Sequence, residues 1–177
     1  MGCNLGKKAL SGGDAAGDPE SDKKVLFLGL DNAGKSTLLF QMRDQQFKET
    51  VPTVGLNVEQ IKYKNDNFTL WDVSGQATRL WKHYFDKIHA VIFVIDSGDS
   101  DRLPKAKTLL QRCFNDKDLS AAPILIFANK QDLTEKMSSE EIYERLDITS
   151  TLASGVKSDI LYQTCSAKSG EGVWEGI

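Results

Sequence analysis

The segment Gly29-Leu30-Asp31-Asn32-Ala33-Gly34-Lys35-Ser36-Thr37 follows an apolar run at 25–28 and opens a helical pattern over 35–43. It spells G-x-x-x-x-G-K-[ST] in the context that gives this spelling meaning, a strand before it and a helix after it. A strand that hands over to a helix in one tight turn belongs to a sheet covered by its own crossovers. The rest of the chain repeats the arrangement. Short β-branched or aromatic runs at 68–73, 91–95, 124–128 and 160–165 alternate with helical patterns at 103–114 and 139–146, the last preceded by Ser138 as its cap. The pair 54–63 and 68–73 breaks the rhythm, because Lys64-Asn65-Asp66-Asn67 is too short for a crossover. The reading is an α/β protein of the P-loop NTPase fold: a mostly parallel six-stranded sheet, one antiparallel edge hairpin, and helices on both faces.

The loop carries chemistry as well as topology. Its glycines let the backbone curl so that the amides of Asn32, Ala33, Gly34, Lys35, Ser36 and Thr37 point at phosphate oxygens, and the helix amino end adds positive potential. Asp31, in the same loop, is counted with them as a GTP-binding residue. Lys35 reaches the β- and γ-phosphates, and Ser36 offers its hydroxyl to Mg²⁺, which prefers oxygen ligands and bridges phosphate groups.

A phosphate loop leaves the base open, and Asn129-Lys130-Gln131-Asp132, following the apolar run 124–128, closes it. The Asp132 carboxylate can accept from both N1–H and the exocyclic 2-amino group of guanine, whereas adenine offers no such donor pair and leaves the carboxylate unpaired. Asn129 and Lys130 brace the base and the phosphate loop, and Ser166-Ala167-Lys168 after the last strand supplies an amide to the guanine O6.

The third constellation is Trp71-Asp72-Val73-Ser74-Gly75-Gln76, at the end of the hairpin's second strand. Asp72 suits Mg²⁺, the Gly75 amide can approach the γ-phosphate without an intruding Cβ, and Gln76 can orient an attacking water. Thr53, in Val51-Pro52-Thr53-Val54-Gly55, is the second hydroxyl candidate for Mg²⁺. Catalysis is thus expected from Gln76, Lys35 and Gly75, and the metal set from Ser36, Thr53 and Asp72. Loops whose order depends on the γ-phosphate form a switch. No arginine in these motifs is assignable to the transition state, which suits an arginine supplied by a partner.

Composition sets the limits. The net charge of −3 is spread over 22 basic and 25 acidic residues, so nucleic acid is not an expected partner. Three dispersed cysteines, Cys3, Cys113 and Cys165, do not make a disulfide framework. No apolar stretch approaches the roughly 20 residues of a spanning helix, so membrane contact is expected to be peripheral. Residues 1–23, rich in Gly, Ser, Asp and Ala, read as a flexible arm, and 24–177 as one globular domain, expected to be monomeric.

The order GLDNAGKST, PTVGLNVE, WDVSGQ, ANKQD and CSAKSGEG, with Trp81-Lys82-His83-Tyr84-Phe85 after the third motif, resembles the ADP-ribosylation-factor and ADP-ribosylation-factor-like branch of the small GTPases over residues 24–177. The resemblance implies a GTPase that cycles between GTP- and GDP-bound states in membrane traffic or cargo release. It also implies an exchange factor, a GTPase-activating protein and effectors, and an effector surface at Leu56, Trp71 and Tyr84. The chain departs from the branch in four places. Only Ala77 to Leu80 separate Gln76 from Trp81, Leu56 stands for the usual Phe, Ser74 replaces the first glycine of a pair, and the sequence stops at Trp174-Glu175-Gly176-Ile177, about where relatives continue through a final helix. The short segment 77–80 and Ser74 motivate the alternative of a nucleotide-dependent binding module or scaffold with negligible turnover. A P-loop kinase or ATPase is the third reading, and N-K-x-D opposes it.

Met1-Gly2-Cys3 makes Gly2 a myristoyl acceptor once Met1 is removed and Cys3 a palmitate site, although Gly6 stands where the myristoylation motif prefers Ser or Thr. Two chains, or one with Lys7-Lys8, anchor stably where one alone does not. The expected location is therefore the cytosolic face of a membrane. His83 and His89 have no ligand cluster at metal spacing and read as surface or packing residues.

Overall fold

The computed structural model describes residues 22–64, 66–119, 121–153 and 158–176. The elements run β1 (Lys23–Gly29), α1 (Lys35–Asp44), β2 (Leu56–Tyr63), β3 (Asp66–Val73), a 3₁₀ helix (Thr78–Tyr84), β4 (Ala90–Asp96), α2 (Leu103–Asn115), β5 (Ile124–Asn129), α3 (Ser139–Leu146), α4 (Ile148–Ala153) and β6 (Ile160–Thr164). The six strands form one sheet in the order β2-β3-β1-β4-β5-β6. Only the β2–β3 pair is antiparallel, and the β1–β3, β1–β4, β4–β5 and β5–β6 pairs are parallel.

Central strands of a parallel sheet are covered on both faces and so lose the in–out alternation of polarity. β5 is buried along its whole length, whereas the edge strand β2 alternates between exposed and half-buried residues. Alternate side chains still go to opposite faces. Leu26, Leu28, Phe93, Ile124 and Ile126 pack with Leu110 of α2 and Ile142 of α3, while Val25, Phe27, Val94 and Phe127 pack with Leu38, Leu39 and Met42 of α1. The expected helices on both faces are present. Past β6, Val173 is buried in the α1-side core and Trp174 stacks on Tyr63 of β2 with ring centroids 4.5 Å apart.

Differences from the sequence reading are local. The hairpin is tighter than expected, because Asp66 and Asn67 join the ladder and Asp66 pairs opposite Tyr63, with Lys64 turning at φ +54. β2 starts at Leu56 because Gly55, at φ +80, turns the chain into it, and β6 ends at Thr164. The 3₁₀ helix and α4 were not anticipated; neither offers a long apolar period. Ser138 caps α3 as expected, its Oγ accepting from the Glu141 amide at 3.1 Å. No described helix is long and apolar enough to cross a membrane.

Candidate functional site

The loops at the carboxyl ends of β1, β3 and β5 converge at one end of the sheet, where ligands of open α/β sheets bind. α1 starts there with Gly34 at φ +94 and no side-chain cap, so its first amides are presented to an anion. Gly34 is required twice over: its φ is left-handed, and a Cβ would fall 2.3 Å from Nδ2 of Asn129. Lys35 is 6 % exposed, and its ammonium donates to the Leu30 carbonyl at 3.0 Å. Burial lowers its pKa, opposed by the charges of Asp72 and Asp31. A buried cation with a carbonyl for a partner is a natural receptor for phosphate.

Ser36, Thr53 and Asp72, from three separate segments, meet beside it. Ser36 Oγ and Thr53 Oγ1 lie 2.8 Å apart, Thr53 donates to Asp72 Oδ2 at 3.1 Å, and Ser36 donates to the same oxygen. Asp72 is 0 % exposed, and its Oδ1 has no hydrogen-bond partner. Burial pushes the Asp72 carboxyl up, against the hydrogen bonds of Ser36 and Thr53 and the charge of Lys35. Two hydroxyls and a carboxylate with an orphaned oxygen fit a hard divalent cation. Among the described residues, no group of three His, Cys, Asp or Glu side chains is placed to hold a metal. His83 and His89 are exposed, and His89 Nδ1 accepts from the Lys24 amide at 2.9 Å.

Asn129 ties the phosphate loop to the base side. It is 1 % exposed, donates from Nδ2 to the Ala33 carbonyl at 2.9 Å and accepts at Oδ1 from the Ala167 amide at 2.9 Å. Asp132 stays exposed, with Oδ1 accepting from Ser166 Oγ at 2.7 Å and Lys168 Nζ 3.9 Å from Oδ2. Its acceptor edge is thereby oriented by the loop that sequence analysis paired with it. Lys130 pairs with Asp96 at 2.6 Å and lines the phosphate cavity.

That cavity, of about 170 Å³, is walled by 31–32 and 34–37, by 50–53 and by 74–76. Gly75 packs so tightly on the phosphate loop that a Cβ there would fall 2.2 Å from the Asp31 amide nitrogen. Ser74 is accommodated without crowding: it is buried, its amide donates to the Gly55 carbonyl at 3.0 Å, and its Oγ accepts from the Gln76 amide at 3.4 Å. Trp81 donates through Nε1 to the Ser74 carbonyl at 3.1 Å, so the short segment 77–80, which holds the start of the 3₁₀ helix, is tied back to the loop before it. Gln76 is exposed at the cavity wall. Leu56, Trp71 and Tyr84 are half-buried against the core, with the Trp71 and Tyr84 rings 6.2 Å apart. Gly2 and Cys3 lie outside the described residues.

Sequence reasoning missed Arg102, Asp96 and Asp99. Arg102 reaches back from the start of α2 to Asp31, at 3.1 Å to Oδ1 and 3.2 Å to the carbonyl, and pairs with Asp99 at 2.6 Å. The only signal was an unexplained cluster of charge at Asp99-Ser100-Asp101-Arg102 ahead of an amphipathic helix.

A phosphate loop, an oxygen-donor cluster at its lysine and an aspartate presented after β5 define a guanine-nucleotide-binding protein of the P-loop fold. The sequence profile of the Arf, or ADP-ribosylation factor, family matches residues 14–177. A solved structure of the Arl6 (BBS3) small GTPase from Trypanosoma brucei, with the nucleotide analogue GppNp bound, is 33 % identical, with a TM-score of 0.78 over 88 % of this chain and 93 % of that one. The chain belongs to the ADP-ribosylation factor family. It is a small regulatory GTPase, binding guanine nucleotide and hydrolysing GTP.

Proposed function

We propose that the protein is a molecular switch that cycles between a GTP-bound, effector-binding state and a GDP-bound state in membrane traffic or cargo release. The observation that carries this is the meeting of Ser36 and Thr53 on Asp72 Oδ2 with Oδ1 left unpartnered, because Thr53 lies in one, and Asp72 leads through Val73 into the other, of the two loops whose order depends on the γ-phosphate. Mg²⁺ bound there would neutralise charge between β- and γ-phosphates. Lys35 and the amides of 32–37 bind the phosphates, and Asp132 with an amide of 166–168 selects guanine. Gln76 orients the hydrolytic water, and Gly75 lets its own amide reach the γ-phosphate. Loss of that phosphate frees both segments.

Leu56 and Trp71, on the hairpin between those segments, and Tyr84, at the end of the 3₁₀ helix after the second, form the effector surface. An exchange factor, a GTPase-activating protein that supplies an arginine, and effectors are its partners, and the working unit is a monomer. Acyl chains on Gly2 and Cys3 hold it at the cytosolic face of a membrane, the support for this being the Met1-Gly2-Cys3 start.

Binding of fluorescent GDP and GTP with Mg²⁺, competed by ATP, followed by single-turnover hydrolysis in the wild type and in Gln76→Leu, tests the reading. Selective guanine binding and a rate at least tenfold lower in the variant are expected. Equal rates in the two proteins would remove Gln76 from the chemistry, and ATP competing as well as GTP would remove the base assignment.

A further inference from the structure

We infer that Arg102 is a positioning residue for nucleotide binding: it pins the phosphate loop at Asp31, aims the next amide at the phosphates and offsets the carboxylate that the loop carries. The inference rests on the proposal that this loop holds a nucleotide.

Arg102 stands just before α2, on a segment that the nucleotide motifs do not include, 71 residues from Asp31 in sequence. Its guanidinium is divided among three acceptors: Nε on Asp99 Oδ2 at 2.6 Å, Nη1 on Asp31 Oδ1 at 3.1 Å and Nη2 on the Asp31 carbonyl at 3.2 Å. Asp99 in turn accepts from the Arg102 amide at 3.2 Å, so the fork is held from both ends. A planar guanidinium can meet all three acceptors together, and a lysine ammonium cannot match that fork.

Two consequences follow for the loop. In a trans peptide the carbonyl and the following N–H point to opposite sides. Tying the Asp31 carbonyl outward to Arg102 therefore turns the Asn32 N–H inward, and Asn32 itself has a left-handed φ of +63. The second consequence is electrostatic. Asp31 and Asn32 both line the phosphate cavity, so an unpaired Asp31 carboxylate there would repel a nucleotide polyphosphate. Arg102 pairs with it.

The test is a cycle of Arg102→Ala, Asp31→Asn and the double variant, read as the dissociation rate of fluorescent GDP and of a fluorescent non-hydrolysable GTP analogue. Arg102→Ala is expected to release nucleotide about tenfold faster. That is the low end for losing a charge-assisted hydrogen bond, because the two side chains are 33 % and 35 % exposed and partly screened. Adding Asp31→Asn to Arg102→Ala should slow release again, since the repelling charge goes with its lost partner. Arg102→Lys, the variant least able to disturb folding, should recover less than half of the loss. The Asn32 amide resonance of the GDP complex should move in Arg102→Ala while the base-side Ala167 amide stays, a pattern that loss of general stability would not produce. Release rates within about twofold of wild type in Arg102→Ala, or effects of Asp31→Asn that worsen those of Arg102→Ala, would overturn the inference. A wild type that binds no guanine nucleotide would instead overturn the function on which it rests.

Discussion

Asn129→Ala should cost about 3 kcal/mol of stability, and the structure says where that energy is lost. Two backbone groups from distant segments depend on this one side chain: the Ala33 carbonyl and the Ala167 amide, each at 2.9 Å. Ala33 is 1 % exposed and Ala167 4 %, so water does not easily replace either bond. A stranded buried polar group costs about 1–3 kcal/mol, and two of them with partial relaxation give about 3 kcal/mol. For a chain of this size that is a fall of about 6–12 °C in the unfolding midpoint. Urea unfolding of the nucleotide-depleted protein measures it, with an unchanged denaturant slope showing that the unfolded state is the same. Asn129→Asp, when ionised, should lose more than Ala, because it keeps the acceptor for Ala167 but sets a buried carboxylate oxygen that cannot donate against the Ala33 carbonyl. A loss below about 1 kcal/mol in Asn129→Ala, or an Asp variant more stable than the Ala variant, would refute the claim that these two bonds join the halves of the site.

Three further outcomes are expected. Gly75→Ala places a Cβ 2.2 Å from the Asp31 nitrogen and 2.4 Å from the Leu30 carbonyl carbon. These backbone atoms cannot swing aside, so the 74–76 loop is pushed off the phosphate loop and stability drops by about 1–3 kcal/mol; GDP binding should stay within about twofold. The tryptophan fluorescence change between GDP and a GTP analogue should disappear, and a variant that retains it would show the loop tolerates the methyl group. Ser138→Ala should destabilise by about 1 kcal/mol through loss of the α3 cap, measured by urea midpoint, and no change would mean the Glu141 amide is satisfied by water. Burial pushes the Cys113 thiol up to about 12, so at pH 8 alkylation of the Cys113 peptide should require unfolding. Labelling as fast in native buffer as in urea would contradict its burial.

The motifs of the candidate site were legible because each is local: a loop of consecutive amides or a turn after a strand needs only its neighbours to spell its chemistry. The same locality explains what was overlooked. Arg102, Asp96 and Asp99 are ordinary charged residues in sequence; only the placement of the start of α2 beside the phosphate loop makes Arg102 a partner of Asp31, and only the pairing of β4 with β5 brings Asp96 beside Lys130. Likewise the short segment between Gln76 and Trp81 reads as an omission, yet a 3₁₀ helix and the Trp81–Ser74 hydrogen bond complete the connection.

By itself the sequence determined the sheet, its crossovers and the motifs of the candidate nucleotide site, since these follow from hydrophobic period and from backbone geometry over a few residues. The tertiary structure alone decided which long-range partners hold those residues: Asn129 bridging two loops, Asp72 buried with one oxygen unpaired beside Ser36 and Thr53, and Arg102 braced against Asp31. The physical reason is that hydrogen bonds and ion pairs act over a few ångströms of space, and residues far apart in the chain acquire that proximity only when the apolar faces of the sheet and helices have packed.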